Sequence, residues 1–191
     1  LSKRLCEKIY LVYSKRNKSI FLIVRFGNVV GSKGSVIPYF QSLIEKRLPL
    51  PLTNKNATRY LMSISEACEL IIKISIFGDN SGIYLLDMGK PINIYDMTYK
   101  LIKFNGLSIK NKKNPSGDII IKYTGLSKGE KLHEKLSFNI NLKKTKFEKI
   151  MLCDEKIDNK FSLIMIENLI KDLSNFKNLK NLKGKLKKIN N

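Results

Sequence analysis

A chain of 191 residues with 43% hydrophobic content has the apolar mass for a core, which excludes a chain disordered throughout. Its longest apolar runs, "SIFLIV" and "LIIKISIF", fall far short of the roughly 20 residues that cross a bilayer. The formal net charge is +20, which raises nucleic acid or an anionic membrane surface as a partner.

The charge has a plainer source. Lys, Asn and Ile have A/T-rich codons and are used heavily along the whole chain, and Trp is absent. Only the tail "KNLKNLKGKLKKINN" concentrates lysines. No RNA-binding aromatic signature or zinc-knuckle spacing accompanies them. Compositional drift is favoured over nucleic-acid binding. The three cysteines, Cys6, Cys68 and Cys153, lack metal-like spacing and fit a reducing compartment better than a disulfide framework.

Residues 1–16 read as an amphipathic helix with Leu5, Ile9 and Val12 on one face. Residues 19–24 read as a strand buried on both faces, as in a parallel sheet. A glycine loop follows, then a helix from Val36 to Arg47. "LPLPLT" is extended, because its prolines exclude a regular helix. Ser63 and Glu66 form a capping box for a helix running to Phe77, with Ala67, Leu70, Ile71 and Ile74 as its stripe. "GDNSG" is a turn and "IYLLD" a second buried strand. Asn93 or Ile94 opens a helix through Phe104. Residues 105–117 read as a polar loop, "DIIIKY" as a strand, and Gly129 to Leu136 as a short helix. "KIMLC" is a short strand, 157–175 a last helix, and the tail beyond is expected to be disordered. Alternating strands and helices predict an α/β fold.

The loop "RFGNVVGSKGSVIPYF" (25–40) raises the question of what its glycines hold. A strand feeding such a loop and then a helix is a common approach to a phosphate. A Walker A loop needs G-x-x-x-x-G-K-[ST], and a dinucleotide fingerprint needs G-x-G-x-x-G. Gly27, Gly31 and Gly34 satisfy neither spacing. Alone, the loop reads as a turn.

It does not stand alone. "TRYLMSISEA" (58–67), "IYLLDMGKPINIYDM" (83–97) and "YTGLSKGEKLHEKL" (123–136) follow in order. Together the blocks resemble the C-terminal half of CapD-like nucleotide-sugar 4,6-dehydratases of polysaccharide biosynthesis, which are extended short-chain dehydrogenase/reductases. The family loop is close to "RFGNVLGSxGSVIPxF". The resemblance covers residues 1–155 and implies the end of a Rossmann-like core plus a substrate-binding subdomain. A C-terminal helix (156–175) and a basic tail (176–191) would follow. It also implies a reaction: bound NAD(P) takes hydride from C4 of UDP-N-acetylglucosamine, water leaves across C5–C6, and hydride returns to C6.

The resemblance assigns roles. In "LSKRLCE", Lys3 falls at the active-site lysine that binds the nicotinamide ribose and lowers the pKa of nearby acids. The partner Tyr or Met and the cofactor fingerprint would precede Leu1, so the sequence reads as a fragment. Phe26 and Gly27 would line the nicotinamide region. Asn28 would bond the diphosphate or sugar, and Ser35 and Val36 open a helix toward the nucleotide. Leu52 and Thr53 would meet the uracil. Arg59 would fork onto the diphosphate, although in isolation such an arginine is more often a surface ion pair. Glu130 would hold the ribose. The family's "GLRPGEK" reads "GLSKGEK" here, so Ser127 replaces a diphosphate-binding arginine and Lys128 a proline. Lys128 could reach in as a point charge without the fork. His133, the one histidine, reads as a surface or packing residue, and no metal site is expected.

The expected partner is therefore a UDP-sugar, with no specific nucleic acid; a homo-oligomer is compatible with the resemblance. The expected location is cytoplasmic, with any anchor to the plasma membrane's inner face in a preceding part. The alternatives are a degenerate, non-catalytic remnant and a basic module for nucleic acid or membrane. These residues alone are expected to be catalytically inert.

Overall fold

The computed structural model describes residues 2–15, 18–32, 34–134, 141–154 and 163–174. In chain order they form helix α1 (Ser2–Ser14), strands β1 (Ile23–Arg25) and β2 (Asn28–Val30), and helix α2 (Val36–Glu45). Strands β3 (Leu50–Leu52), β4 (Thr58–Arg59) and β5 (Leu61–Ser63) lead into helix α3 (Ile64–Phe77). Then come β6 (Ile83–Leu86), β7 (Ile92–Asn93), α4 (Ile94–Phe104), β8 (Ile109–Lys110) and β9 (Ile119–Tyr123). Strands β10 (Leu142–Lys144) and β11 (Ile150–Cys153) and helix α5 (Leu163–Ser174) complete the order.

The chain divides into two compact units. The first comprises Leu1–Val24, Lys73–Leu85 and Asn139–Asn191. Its sheet has the strand order β1-β6-β11-β10. All four residues of β6 are buried, as a continuous apolar run demands of an inner strand. On α1, Val12 with Leu5 and Ile9 packs against Ile166 of α5. The run at 19–24 behaves differently from its expected form. Its strand begins only at Ile23, stays half-buried and ends the sheet order. Ile20 is 68% exposed. At the end of the sheet order β1 has a strand on one side only, so 19–22 is left as approach chain.

The second unit comprises Arg25–Ile72 and Leu86–Phe138. A parallel sheet in the order β3-β9-β8 pairs Leu50 with Ile121, Leu52 with Tyr123 and Ile109 with Ile119. Phe40 and Ile44 of α2, Leu50 and Leu52 of β3, Ile94 and Ile102 of α4 and Ile119 of β9 form one buried cluster. Parallel strands need crossover connections, and the chain between β3 and β9 includes α4, which packs on this cluster. Two small pairs complete the unit, β2 with β5 in parallel and β4 with β7 antiparallel.

Local signals explain the helix starts. Ser63 Oγ accepts the Glu66 N–H at 3.1 Å, which supplies the cap of α3. Asn93 Oδ1 does the same for Asp96 and α4 at 3.1 Å. Residues 105–117 are not wholly loop. They carry β8, and Ser108 donates its N–H and Oγ–H to Asp118 at 2.9 and 3.0 Å. These bonds, with Arg47 nearby, hold the Asp118 carboxyl below its ordinary 3.8. The expected short helix at 129–136 is also not formed over its described part, 129–134. Gly129 has φ +91°, and Leu132 O accepts the Thr58 N–H at 3.0 Å. The segment is thus held by strand β4 instead of by its own ladder. Strand β10 pairs antiparallel with β11, where no strand was expected. The start of the expected last helix (157–162) and the tail lie outside the described residues. No helix among the described residues is long and apolar enough to cross a membrane.

Ile102, 0% exposed in the core of the second unit, is the sharpest stability probe. Ile102→Ala should lower unfolding free energy by about 2–5 kcal/mol, measured by chemical denaturation. Phe104→Ala, at a side chain 90% exposed, should stay within about 0.5 kcal/mol.

Candidate functional site

Asn28, Ser35, Val36, Leu52, Thr53, Arg59 and Glu130 line one cleft of about 540 Å³ within the second unit. Tyr39, Phe40, Ala57, Leu61 and Ile94 share its walls. Four local features build it. The β2–β5 pair presents Asn28, whose N–H is tied to Tyr60 O at 2.9 Å. Gly31 and Gly34, at φ +79° and +80°, turn the chain into α2 with conformations that favour glycine. Ser35 then stands at the N-terminus of α2 without capping it, and its buried Oγ has no hydrogen-bond partner among the described residues. The β3–β9 ladder sets Leu52, whose carbonyl already accepts the Thr124 N–H at 2.9 Å.

Arg59 and Glu130 are the two charged residues of the lining. Arg59 Nη2 donates to Glu130 Oε1 at 2.9 Å. Its Nη1 donates to Thr58 O at 2.9 Å and Leu132 O at 3.2 Å. Glu134 Oε1 lies 3.7 Å from Nε. The Arg59 side chain is only 16% exposed, so its charge is less screened than on an open surface, and its orientation is set by the bonds to Thr58, Leu132 and Glu130. Chemically the cleft offers a fixed cation, a helix N-terminus, an amide and hydroxyls above an apolar floor. Such a set binds an anionic polar ligand with an apolar ring.

Other sequence-assigned residues lie elsewhere. Lys3 is an exposed residue of α1 in the first unit. Phe26 is 37% exposed, and neither it nor Gly27 lines the cleft. Gly27 is explained by packing: an added Cβ would stand 2.9 Å from Tyr60 Cβ, 2.9 Å from Tyr60 O and 3.1 Å from Met88 Sδ. Its N–H points at Met88 Sδ, 2.8 Å away. Lys128 is exposed in a turn and does not line the cleft. His133 Nδ1 pairs with Thr58 Oγ1 at 2.9 Å. Sequence reasoning missed Glu134. The signal was a second carboxylate four residues after Glu130, to which the sequence reading gave no role. Among the described residues, no group of three or more His, Cys, Asp or Glu could hold a metal.

The profile of the family described as "Polysaccharide biosynthesis protein" matches residues 1–155. The chain belongs to this polysaccharide biosynthesis family. The capsular polysaccharide biosynthesis protein CapD of Staphylococcus aureus is 38% identical over 183 residues, covering 94% of this chain and 29% of that protein. The probable polysaccharide biosynthesis protein EpsC of Bacillus subtilis is 39% identical over 135 residues, covering 71% of this chain and 21% of EpsC. The chain thus spans less than a third of either relative. Among solved structures, Pen from Bacillus thuringiensis superposes with a TM-score of 0.62 at 25% identity, over 87% of this chain and 54% of that one. A DesIV double mutant, a dTDP-glucose 4,6-dehydratase from Streptomyces venezuelae with NAD and DAU bound, gives 0.58 at 19% identity, over 71% and 41%. The fold is that of Rossmann-like, extended short-chain dehydrogenase/reductases.

Within this polysaccharide biosynthesis chain, the unusual "GLSKGEK" is a tight turn. The Glu130 N–H reaches Ser127 O at 2.9 Å, and Glu130 Oε2 accepts the Ser127 N–H at 3.1 Å. Ser127 therefore orients Glu130 through its backbone and adds no charge.

Gly27→Ala tests whether close packing is what that position requires. It should destabilise the chain by about 1–3 kcal/mol, as overpacking does. Met88→Ala in the same background should recover part of the loss by freeing one contact. Thermal unfolding of the wild type and the two variants checks both.

Proposed function

We propose that this chain is the nucleotide-sugar-binding part of an NAD(P)-dependent nucleotide-sugar 4,6-dehydratase of surface polysaccharide or glycan synthesis, with a UDP-N-acetylglucosamine type substrate. One observation carries the reading. Arg59, the N-terminus of α2 and Asn28 face a single cleft with an apolar floor. Arg59 takes the diphosphate, with Ser35, Val36 and Asn28 beside it. Leu52 and Thr53 flank the base, and because the Leu52 carbonyl is already bonded to Thr124, its contact is apolar. Glu130 reaches the ribose.

NAD(P), when bound by the whole protein, supplies the hydride acceptor and donor. Lys3 would hold the nicotinamide ribose, and Phe26 would flank it. Gly27 is packed against Tyr60 and Met88, so its part is to fix the course of the chain. The support for this cofactor is the family and the NAD-bound state of DesIV, which shares the fold. The cytoplasm is the proposed setting. The isolated chain is expected to bind nucleotide and not to turn substrate over.

A second reading has its own support: Ser127 removes a cation the family pattern carries, as a remnant freed from selection would. Calorimetry on this chain discriminates. UDP should bind saturably, and Arg59→Ala should weaken it tenfold or more, the scale of a lost charge-assisted bond of about 1.5–3 kcal/mol. Ser127→Arg should tighten UDP by about tenfold through a restored fork. No saturable UDP binding by either wild type or Ser127→Arg would favour the remnant.

A further inference from the structure

Arg59 is already occupied in the ligand-free protein. A guanidinium has five N–H donors in a fixed plane. Both on Nη1 go to backbone carbonyls, Thr58 O and Leu132 O. One on Nη2 goes to Glu130, and its second has no acceptor among the described residues. Nε faces Glu134 at ion-pair distance, 3.7 Å. Nη2 is therefore the position from which a ligand can take a bond, and a carboxylate holds half of it.

The two carboxylates differ in what else holds them. Glu130 has a second anchor, the Ser127 N–H at 3.1 Å, in an exposed turn with Gly129 at φ +91°. That turn can yield. Glu134, whose side chain is 32% exposed, has one buried oxygen, Oε2, with no hydrogen-bond partner among the described residues, and Arg59 is the cation beside it. Removing the cation from a partly buried carboxylate is costly. One guanidinium thus faces two carboxylates. A diphosphate entering beside both is repelled, and the repulsion is strongest where solvent is excluded.

We propose that Glu130 is a placeholder for the diphosphate on Arg59, displaced when ligand binds, and that Glu134 is a positioning residue that keeps the guanidinium in place during the exchange. This rests on the reading of the cleft as a diphosphate site. On binding, a phosphate oxygen replaces the Glu130 oxygen at Nη2 and takes the open N–H beside it. One charge-assisted bond is exchanged and one is gained, so affinity reports the difference between them. Glu130 swings off Nη2 on its own turn, toward the ribose that the proposed function assigns to it. Nη1 keeps its two carbonyls, and Nε keeps Glu134.

The test is calorimetric titration of the full chain with UDP and with uridine, which lacks the phosphates. The ratio of the two affinities isolates the diphosphate contribution. Arg59→Ala should bring the ratio close to one. Glu130→Gln keeps an acceptor for the Ser127 N–H but loses the competing charge, and should raise the UDP-to-uridine affinity ratio at least threefold, a loss of the ribose contact affecting both ligands alike. Glu130→Asp, too short to hold Nη2, should raise the ratio as well and serves if the Gln variant does not fold. Glu134→Gln should weaken UDP threefold or more with uridine unchanged, and Glu134→Asp should recover part of that loss.

A lower or unchanged UDP-to-uridine ratio in Glu130→Gln and Glu130→Asp, with the Arg59→Ala effect intact, overturns the placeholder and leaves the diphosphate site standing. An unchanged UDP-to-uridine ratio in Glu134→Gln overturns its positioning role. If Arg59→Ala leaves the ratio unchanged, the diphosphate reading itself fails, and the placeholder with it.

Discussion

The contact that closes the second unit is between strand β4 and a segment more than seventy residues later. The Thr58 N–H bonds Leu132 O at 3.0 Å, Thr58 Oγ1 meets His133 Nδ1 at 2.9 Å, and Arg59 meets Glu130 at 2.9 Å. Residues 129–134 have no helix of their own. Their backbone and side chains are placed by these bonds, each formed against the entropy of closing a long loop. The β3–β9 ladder reduces that cost, because it already brings Tyr123 beside Leu52. From there a short turn delivers Glu130 to Arg59. Ligand chemistry and closure of the unit thus use the same arginine, which is why Arg59 is both ordered and, before ligand arrives, engaged.

That double duty separates two kinds of residue in the glycine-rich block that opens the second unit. Gly27 serves packing against Tyr60 and Met88. Gly31 and Gly34 serve backbone conformation, since both have positive φ with open space where a Cβ would stand. Ser35, by contrast, has a buried hydroxyl with no partner among the described residues and no capping bond. A polar atom left so at the mouth of a helix and inside a cleft is where a ligand acceptor would be satisfied. The opening glycines thus hold the chain in shape, and the groups beside them are free to hold something else.

Elements with strong, local signals were legible from the sequence. β6 read as an inner strand from four apolar residues in a row, α3 and α4 from their caps, and β3 from its prolines. The misses share a cause: the decisive partner is distant in sequence. The strands β2, β4, β5 and β7 are two or three residues long and exist only through pairing. The run at 19–24 has the composition of an inner strand, yet at the end of the sheet only Ile23–Arg25 forms one. Residues 129–134 carry helix formers, but Gly129 and the bonds to β4 override them. Glu134 was missed because its partner, Arg59, is distant in sequence. The Ser127 departure, in contrast, was visible at once, because a missing charge needs no structure to be noticed.

The central claim is that Arg59 Nη2 is the anion contact of this cleft. A crystal structure of the chain with UDP tests it most directly. The account predicts a phosphate oxygen within hydrogen-bond distance of Nη2, the Glu130 carboxylate turned away, and Nη1 still on the carbonyls of Thr58 and Leu132. A diphosphate seated elsewhere, with the Arg59–Glu130 pair unbroken, would contradict it.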